Sequence, residues 1–483
     1  MIKFQSNVQL IKFEVLKEVA KSAMENRLLQ DYKKIPKRII KGPKPRTRCC
    51  IYKERAIMKQ RVRAAMGGKS NNKNIIEVLD IACDACPINR FTITEACRGC
   101  LAHRCSEACP VGAIYHVGQR AYINQNICIE CGKCRDACQY NAVSDVMRPC
   151  RGSCPTGALT LDEDKTVVIN DDLCVQCGIC IVQCPFGAIM DKSFIPDILD
   201  IIKHSKENTK YKTYAVVAPA IVSQFDTDFS KVVEAIKELG FYDVIEAAEG
   251  ADLVAHYETE EFLEKSKDDG VMTTSCCPAF VKYAEITYPQ FKDNISSTVS
   301  PMIAISRLIK EKDEKAKVVF IGPCIAKKAE AMREDVKGAT DFVMTFEELY
   351  AMLVAKDIKI EDCEGDFNSK ATPNGKMFAR SAGVTEAIKN VINKEKIDVD
   401  FKPVTCNGLK ECDKAFKMLK VGRLNGNFIE GMACVDGCIG GPVNLIRRKQ
   451  NTKKVNDYAK ESKNINGDYI VDESKKCDLH MHR

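Results

Sequence analysis

Tryptophan is missing altogether from this 483-residue chain, and histidine occurs only 6 times. Long apolar runs are missing too. Stretches such as Tyr214–Val222 fall well short of the ~18 residues that a membrane-crossing helix needs. The opening residues, Met1-Ile-Lys-Phe-Gln-Ser, lack the charged start, apolar run and small-residue cleavage site of an export signal. No recognition motif or aromatic platform accompanies the basic residues, which argues against a nucleic-acid partner. These absences exclude a membrane-spanning or exported protein and point to a cytoplasmic location. With 45% hydrophobic residues there is ample material for a buried core, and the length suggests about three domains at ~150 residues each.

Cysteine is abundant: 27 residues. Disulfide scaffolds reach such densities in short secreted chains, whereas thiolates in a reducing compartment are metal ligands. Iron–sulfur clusters are the soft-ligand sites that consume four at a time. The chain reads as a metalloprotein.

Charge is unevenly spread. Residues 1–76 hold 13 Lys and 7 Arg against 4 Glu and 1 Asp, a net of +15 where the whole chain carries +7. Helical periods cover 8–30 and 48–66, broken by Ile35-Pro-Lys and Lys41-Gly-Pro-Lys-Pro. This segment, taken as residues 1–82, reads either as a solvated helical appendage or as a docking surface for an acidic partner. Beyond about residue 205, short β-branched runs alternate with helical periods: 214–217 then 230–239, 271–274 then 279–288, 318–321 then 326–333, and 342–345 then 346–355. That alternation predicts an α/β domain with parallel sheets over 205–446. The Lys-rich tail, 447–483, shows weak helical character and no identifiable chemistry.

Between residues 83 and 184 lie 16 cysteines: Cys83 and Cys86, then four groups. Cys97-x2-Cys100-x4-Cys105-x3-Cys109-Pro is followed by Cys128-x2-Cys131-x2-Cys134-x3-Cys138. Cys150-x3-Cys154-Pro is followed by Cys174-x2-Cys177-x2-Cys180-x3-Cys184-Pro. The C-x2-C-x2-C-x3-C-P run is the bacterial ferredoxin signature, whose fourth Cys ligates the other cluster of a pair. Zinc ribbons use separated pairs instead. The near-equal gaps from Cys109 to Cys128 and from Cys154 to Cys174 suggest two tandem ferredoxin-like α+β modules, 83–145 and 146–204. In that scheme Cys97, Cys100, Cys105 and Cys138 bind one 4Fe-4S cluster, and Cys109, Cys128, Cys131 and Cys134 the next. Cys154, Cys174, Cys177 and Cys180 bind a third, while Cys150 and Cys184 join the unclaimed Cys83 and Cys86 in a fourth. A rival scheme pairs Cys128–Cys138 with Cys174–Cys184 across the longer gap. Either way, three to four clusters in a row make an electron wire.

Three further motifs sit at strand ends. They are Thr273-Thr-Ser-Cys276-Cys277-Pro278, Phe320-Ile-Gly-Pro-Cys324-Ile-Ala-Lys327-Lys328 and Phe428-Ile-Glu-Gly-Met432-Ala-Cys434-Val-Asp-Gly-Cys438-Ile-Gly-Gly-Pro442. Cys434 and Cys438 share a face if that segment is helical. Cys277, Cys324, Cys434 and Cys438 together read as one more cubane site, at loop ends where α/β domains place active sites.

These motifs, in this order behind a ferredoxin region, resemble the active-site signatures of [FeFe]-hydrogenases; the resemblance covers residues ~83–445. It implies an H-cluster, a 4Fe-4S cube linked through one cysteine sulfur to a diiron unit carrying CO, cyanide and azadithiolate. Carried over, Cys277, Cys324, Cys434 and Cys438 are the cube's ligands, with Cys438 as the bridge. Cys276 passes protons to the dithiolate amine, Lys327 hydrogen-bonds a cyanide, and Met432, Pro219 and Ala220 line the diiron cavity. Glu258 and Glu261, in Ala251-Asp-Leu-Val-Ala-His-Tyr-Glu258-Thr-Glu-Glu261, and Ser296 match the family's proton path. The resemblance further implies reversible reduction of protons to H2, a ferredoxin partner and maturation proteins that insert the diiron unit. Ala220, Gly322, Met302, Phe280 and the shortened run after Cys438 depart from the usual pattern without removing a ligand, marking a divergent branch. A hydrogen sensor, or a scaffold like the hydrogenase-like assembly factors of eukaryotes, are the alternatives. Cys49, Cys50, Cys363, Cys406, Cys412 and Cys477 are left without a role.

Overall fold

The computed structural model describes residues 2–69, 74–267, 270–465 and 467–483. Two parallel sheets form the C-terminal half. The larger has strand order Asp243–Glu246, Thr213–Val217, Lys317–Gly322, Phe342–Thr345; the smaller runs Met272–Thr273, Phe428–Met432, Pro403–Asn407. Burial on both faces explains why the sequence shows continuous apolar runs such as Val318–Ile321 rather than alternation. The helix Ala247–Ser266 follows the edge strand of the larger sheet, and its residues Leu253, Val254, Ala255 and Phe262 pack into the main core. All three cysteine motifs begin where a strand of one or the other sheet ends.

The cysteine-rich region is built from short antiparallel pairs and single-turn helices. Phe91–Ile93 pairs with Val143–Asp145 and closes one module around Phe91 and Ile114. Ile76–Val78 pairs with Ile189–Asp191, so the other module starts before residue 83 and finishes beyond the last cysteine run. The modules are therefore nested: the first is inserted between Cys86 and Cys150 of the second, and a boundary at residue 82 cuts through the second module's sheet. Gly178, between Cys177 and Cys180, has φ +78, and a Cβ there would lie 2.5 Å from Ile325 Cδ1 and 2.9 Å from Pro442 Cγ. Only glycine lets this cluster loop press against two of the catalytic-domain motifs.

The basic N-terminal segment is not an appendage. The helical period expected over 8–30 forms Asn7–Met24, ending two residues before Asn26, whose φ is 55°. That over 48–66 forms Ile51–Ala65. Val15, Leu16, Val19 and Ala20 of the first helix are buried in the same core as the larger sheet. Lys12 goes in with them. Its Nζ donates at 2.6 Å to both Asp191 Oδ1 and Glu347 Oε2, while Lys328 Nζ donates at 2.9 Å to Asp191 Oδ2 and Glu348 Oε1. This buried ion network ties the N-terminal helix, the inner cluster module and the Pro-Cys-x2-Lys-Lys segment to one another. Removing one member strands uncompensated charge, which costs about 3–5 kcal/mol. Lys12→Ala is therefore expected to lower unfolding stability by that order, as read by anaerobic denaturant titration, whereas Lys17→Ala, whose side chain lies outside the network, is expected to change it by less than about 0.5 kcal/mol.

Candidate active site and iron–sulfur wire

The site starts from local chain geometry. The strand Met272–Thr273 ends in Cys276 and Cys277, and Pro278 opens the helix Pro278–Thr287, where its missing N–H is not needed. Cys324 follows the strand Lys317–Gly322 and precedes the helix Ala326–Glu330, which carries Lys327. Cys434 and Cys438 follow the strand Phe428–Met432. The α-helical face offered by their spacing does not form, because Asp436 and Gly437 are left-handed (φ 65 and 66) and a 3-10 turn, Gly437–Gly440, takes its place. A Cβ on Gly437 would meet Ala379 O at 2.7 Å, so this turn also needs glycine. The ring of Phe280 packs over Gly431, leaving no room for a Cβ there, and stacks on Phe416.

The four thiols come together. Burial pushes the Cys324 thiol up to about 12, and Cys277 and Cys438 add to it. Burial pushes Cys438 up to about 11 with Cys277 beside it, and lifts Cys434 well above the ordinary thiol range with Cys324, Cys277 and Cys438 beside it. Thiols held protonated by burial and by one another, as Cys324, Cys434 and Cys438 are, ionise readily once metal binds them. Among the described residues, no three His, Cys, Asp or Glu converge as ligands of a single ion would. A cubane, which spreads its four ligands over four irons, does not require such convergence. The donor set fits a 4Fe-4S cube and not a zinc ion.

The remaining cysteines lead to this point in steps. Cys177 is pushed up to about 12 by burial, with Cys174, Cys154 and Cys277 next to it, and it also neighbours Cys434. Cys180 is raised by burial and by Cys177, Cys174, Cys154 and Cys150. Cys150 is pushed up to about 11 by burial, then by Cys184, Cys86 and Cys83. Farther out, Cys109, Cys128, Cys131 and Cys134 line one small cavity with Phe91 and Ile114. Cys97, Cys105 and Cys138 pack on that module's core, and Cys100 neighbours Cys105. The sulfurs already have donors. Ala113 N–H reaches Cys109 Sγ at 3.2 Å, Ala142 reaches Cys138 at 3.4 Å, Ala188 reaches Cys184 at 3.2 Å, and Arg148 Nη1 reaches Cys83 Sγ at 3.4 Å. Such bonds stabilise the thiolate form and help set cluster potentials. Cys49 and Cys50 are exposed on the surface.

Cys276 is buried, and its thiol is held well above the ordinary range by burial, then by Glu258, Cys277, Glu430 and Cys438. Its thiol thus favours the protonated form, with Glu258 and the thiols of Cys277 and Cys438 as neighbours. Glu258 is wholly buried; its Oε1 accepts from Ser275 N–H at 3.0 Å and Ser275 Oγ at 3.1 Å, while Oε2 has no partner. Burial pushes this carboxyl up to about 7, Glu261 adding to the rise, while the Ser275 bonds and the nearby Ser296 hydroxyl pull the other way. Glu261 is also partly buried, yet bonds from Ser296 and Ser297 together with Lys265 outweigh burial and hold it below the usual range. Ser296 Oγ donates to Glu261 Oε2 at 2.7 Å, and Lys265 Nζ lies 3.1 Å from Oε1. Cys276 thus has Glu258 for a neighbour, Ser296 lies near Glu258, and Ser296 bonds Glu261. Lys327 Nζ donates to Cys276 O at 3.2 Å and to Glu330 Oε2 at 2.6 Å. An ammonium has three donors, so one remains beyond these two bonds. Pro219, Ala220, Met302 and Met432 are buried; the Phe320 ring fills the space beside Gly322. Ser275, Lys265 and Glu330 went unread in the sequence, although Lys265 stands four residues from Glu261 and Glu330 three from Lys327, spacings that share a helical face. Glu430 carried no such signal.

Comparison with known proteins agrees with this picture. Residues 211–442 match the model of the iron only hydrogenase large subunit, C-terminal domain. Residues 121–144 match the 4Fe-4S binding domain, and 142–195 the LdpA Fe-S cluster-binding domain. Iron hydrogenase 1 of Clostridium pasteurianum is 29% identical over 368 residues, 66% of this chain and 64% of its own, so the chain spans less than two thirds of that relative. The cytosolic Fe-S cluster assembly factor NAR1 of Kluyveromyces lactis is 34% identical over 264 residues, 40% of this chain and 56% of its own. A solved [FeFe]-hydrogenase of Chlamydomonas reinhardtii overlaps 59% of this chain and 94% of its own, at 20% identity and a TM-score of 0.46. The fold and site define an iron–sulfur protein with a hydrogenase-type α/β domain. Residues 211–442 are thus similar to the iron-only hydrogenase domain, and the relatives include both hydrogenases and assembly factors. Among the described residues no helix is long and apolar enough to cross a membrane.

The raised Glu258 carboxyl has a stability consequence. A free glutamate ionises near 4.5 and this one near 7. Between those values the folded chain keeps a proton that the unfolded chain has released, so stability falls as pH rises through the window, and the full cost is reached above pH 7. Glu258→Gln is expected to be more stable than the native chain above pH 7, by up to about 3 kcal/mol. Below pH 4.5 the difference is expected to vanish; denaturant titrations across pH check it.

Proposed function

We propose that the chain is an [FeFe]-hydrogenase, exchanging 2 H⁺ and 2 e⁻ with H2. The observation that carries this reading is Cys276: a buried thiol that favours its protonated form and neighbours the cube ligands and Glu258, with Ser296 near Glu258 and bonded to Glu261. A cluster scaffold has no use for a proton path to its innermost thiol.

Cys277, Cys324, Cys434 and Cys438 would hold the cube of an H-cluster, Cys438 also touching the diiron unit. That unit, when bound, supplies the chemistry that forms and splits H2. The chain's own residues do the rest. The Lys327 ammonium, fixed by Glu330 and Cys276 O, presents its third N–H to an anionic ligand. Pro219, Ala220 and Met432 keep water out. Cys276 Sγ hands a proton inward and is recharged from the protonated Glu258 carboxyl. Glu258, ionising near 7, holds its proton at neutral pH yet releases it readily, as a general acid must. Ser296 Oγ, able to donate and accept at once, links it to Glu261.

For the wire we propose the sets Cys154/Cys174/Cys177/Cys180, then Cys83/Cys86/Cys150/Cys184, then Cys109/Cys128/Cys131/Cys134, then Cys97/Cys100/Cys105/Cys138. The neighbour relations of Cys150, Cys177 and Cys180 support this order. Electrons would come from an acidic ferredoxin at the outermost module, where Leu101, Tyr115 and Val117 stand exposed among Arg98, Arg104 and Lys133. A cytoplasmic setting and maturation partners that insert the diiron unit belong to the same proposal.

The scaffold reading is favoured by one observation, the 34% identity to a cytosolic assembly factor. An anaerobic infrared spectrum of the chain matured with a diiron precursor separates the two. CO and cyanide bands are expected, and their absence with the iron–sulfur clusters intact would leave the scaffold. In the matured protein, Cys276→Ala is expected to keep those bands and all clusters while losing at least about 100-fold in dye-driven H2 evolution; native turnover in that variant would end the relay assignment.

A further inference from the structure

Three arginines gather at the set Cys83, Cys86, Cys150 and Cys184, and two of them come from the basic N-terminal segment. Arg148 is buried; its Nη1 donates to Cys83 Sγ at 3.4 Å and its Nε to Pro87 O at 3.2 Å. Arg48, just ahead of the helix Ile51–Ala65, donates from Nη2 to Ala82 O at 3.5 Å and to Phe186 O at 3.4 Å. Arg61, inside that helix, is 4% exposed and donates from Nη2 to the same Phe186 O at 3.2 Å. These carbonyls flank the cysteines, since Ala82 precedes Cys83 and Phe186 lies two residues beyond Cys184. Gly187 makes the approach possible. Its φ is +56, and a Cβ there would lie 2.9 Å from Arg61 Nη2 and 2.7 Å from Val8 Cγ1.

Arg61 lacks a counter-charge. Its Nε and Nη1 are buried without a hydrogen-bond partner among the described residues. Burial and Arg48 push its guanidinium down to about 10, so it stays charged at neutral pH, and the Cys184 thiol is what draws it back. A buried, unpaired cation is costly unless an anion meets it. Four thiolates outweigh a cubane's own charge, so the loaded site is an anion, and reduction adds one more negative charge. The other sets have no such company. The titratable groups that act most on Cys177, Cys180 and Cys134 are other cysteines. Arg120, which neighbours Cys97, is already paired with Glu95.

We propose that Arg61, with Arg48 and Arg148, makes the Cys83/Cys86/Cys150/Cys184 cluster the highest-potential member of the wire, where the first electron rests. The inference rests on the ligand set proposed above and not on the diiron unit. The step is one electron in, passed from the neighbouring cluster on the ferredoxin side; no bond forms or breaks and no proton moves. Fixed positive charge favours the more negative, reduced state, and burial keeps water and salt from screening it. Arg61 is thus a tuning residue that acts on a potential. A cavity of about 300 Å³, lined in part by Arg61, Arg447 and Cys184, offers a small anion as the rival counter-charge.

The chain carrying its 4Fe-4S clusters but no diiron unit is titrated anaerobically with dithionite, each reduced cluster being read by electron paramagnetic resonance. Arg61→Met removes the charge at similar length. It is expected to lower the reduced-to-oxidised ratio of the first-reduced signal about tenfold at fixed potential, which is about 59 mV for a one-electron couple. The later signals, Tm and iron content are expected to hold. Arg61→Lys, which keeps the charge, is expected to restore most of the native ratio. Arg48→Met, at a half-buried position, is expected to shift the signal the same way by about threefold, and it decides the matter should Arg61→Met lose clusters. Cys184→Ser identifies the cluster and is expected to alter or remove the signal reduced first. An unmoved first signal in Arg61→Met would overturn the proposal. So would an equal shift in Arg61→Lys, which would make Arg61 a packing residue only. So would a native potential that falls when phosphate is added, because an anion in the cavity would then meet the charge. The ligand set is judged separately. If Cys184→Ser alters a later signal, the set stands and the proposal falls; if it alters none, both fall. Missing CO and cyanide bands after maturation would leave this test intact.

Discussion

Four thiol groups crowded into a space that excludes water are what the rest of this molecule is arranged around. Each of Cys324, Cys434 and Cys438 is held in its protonated form by burial and by its neighbours. A protein gains nothing from such a cluster unless metal charge ionises the sulfurs. The constraint reaches outward. Two separate sheets must end their strands at the same place, and the turn after Cys434 must use a left-handed Asp–Gly pair to bring Cys438 back to it. Cys177 of the neighbouring module adjoins Cys277 and Cys434, so the cysteine-rich region and the four-thiol site meet directly.

The proposed proton and electron routes are made of different materials. Electrons need only closely spaced sulfur sets on short, glycine-rich loops. Protons need groups that both hold and release them. Glu258, fully buried with one oxygen unpaired, and Glu261, bonded to serine donors and Lys265, sit one turn apart on one helix with opposite tendencies. A neutral acid inside and an ionised one outside give the proposed relay its polarity. Their difference comes from environment alone, since the side chains are identical.

The buried network of Lys12, Asp191, Lys328, Glu347 and Glu348 holds these parts in register. Asp191 closes the inner cluster module, and Lys328 neighbours Lys327 in sequence. A shift of the module against the α/β domain would break several charge-assisted bonds at once in a region without water to replace them. The N-terminal helix, despite its basic composition, is a structural strut of that joint.

Much of this was legible in the chain itself. Spacing alone marks the cluster runs, because a cubane fixes how many residues separate ligands on one tight loop. Alternation of β-branched and helical segments marks the parallel sheets, and strand-end motifs mark the site. The sequence could not show that the two cluster modules are nested, since the pairing of Ile76–Val78 with Ile189–Asp191 joins residues more than a hundred positions apart. Net charge made residues 1–76 look like an exposed arm; burial of Lys12 between two carboxylates is a tertiary fact that composition cannot express. Ligand identity, then, is written locally by covalent spacing. Which carboxyl keeps its proton and which lysine is a strut are set by desolvation and long-range pairing, and these exist only once the chain has folded.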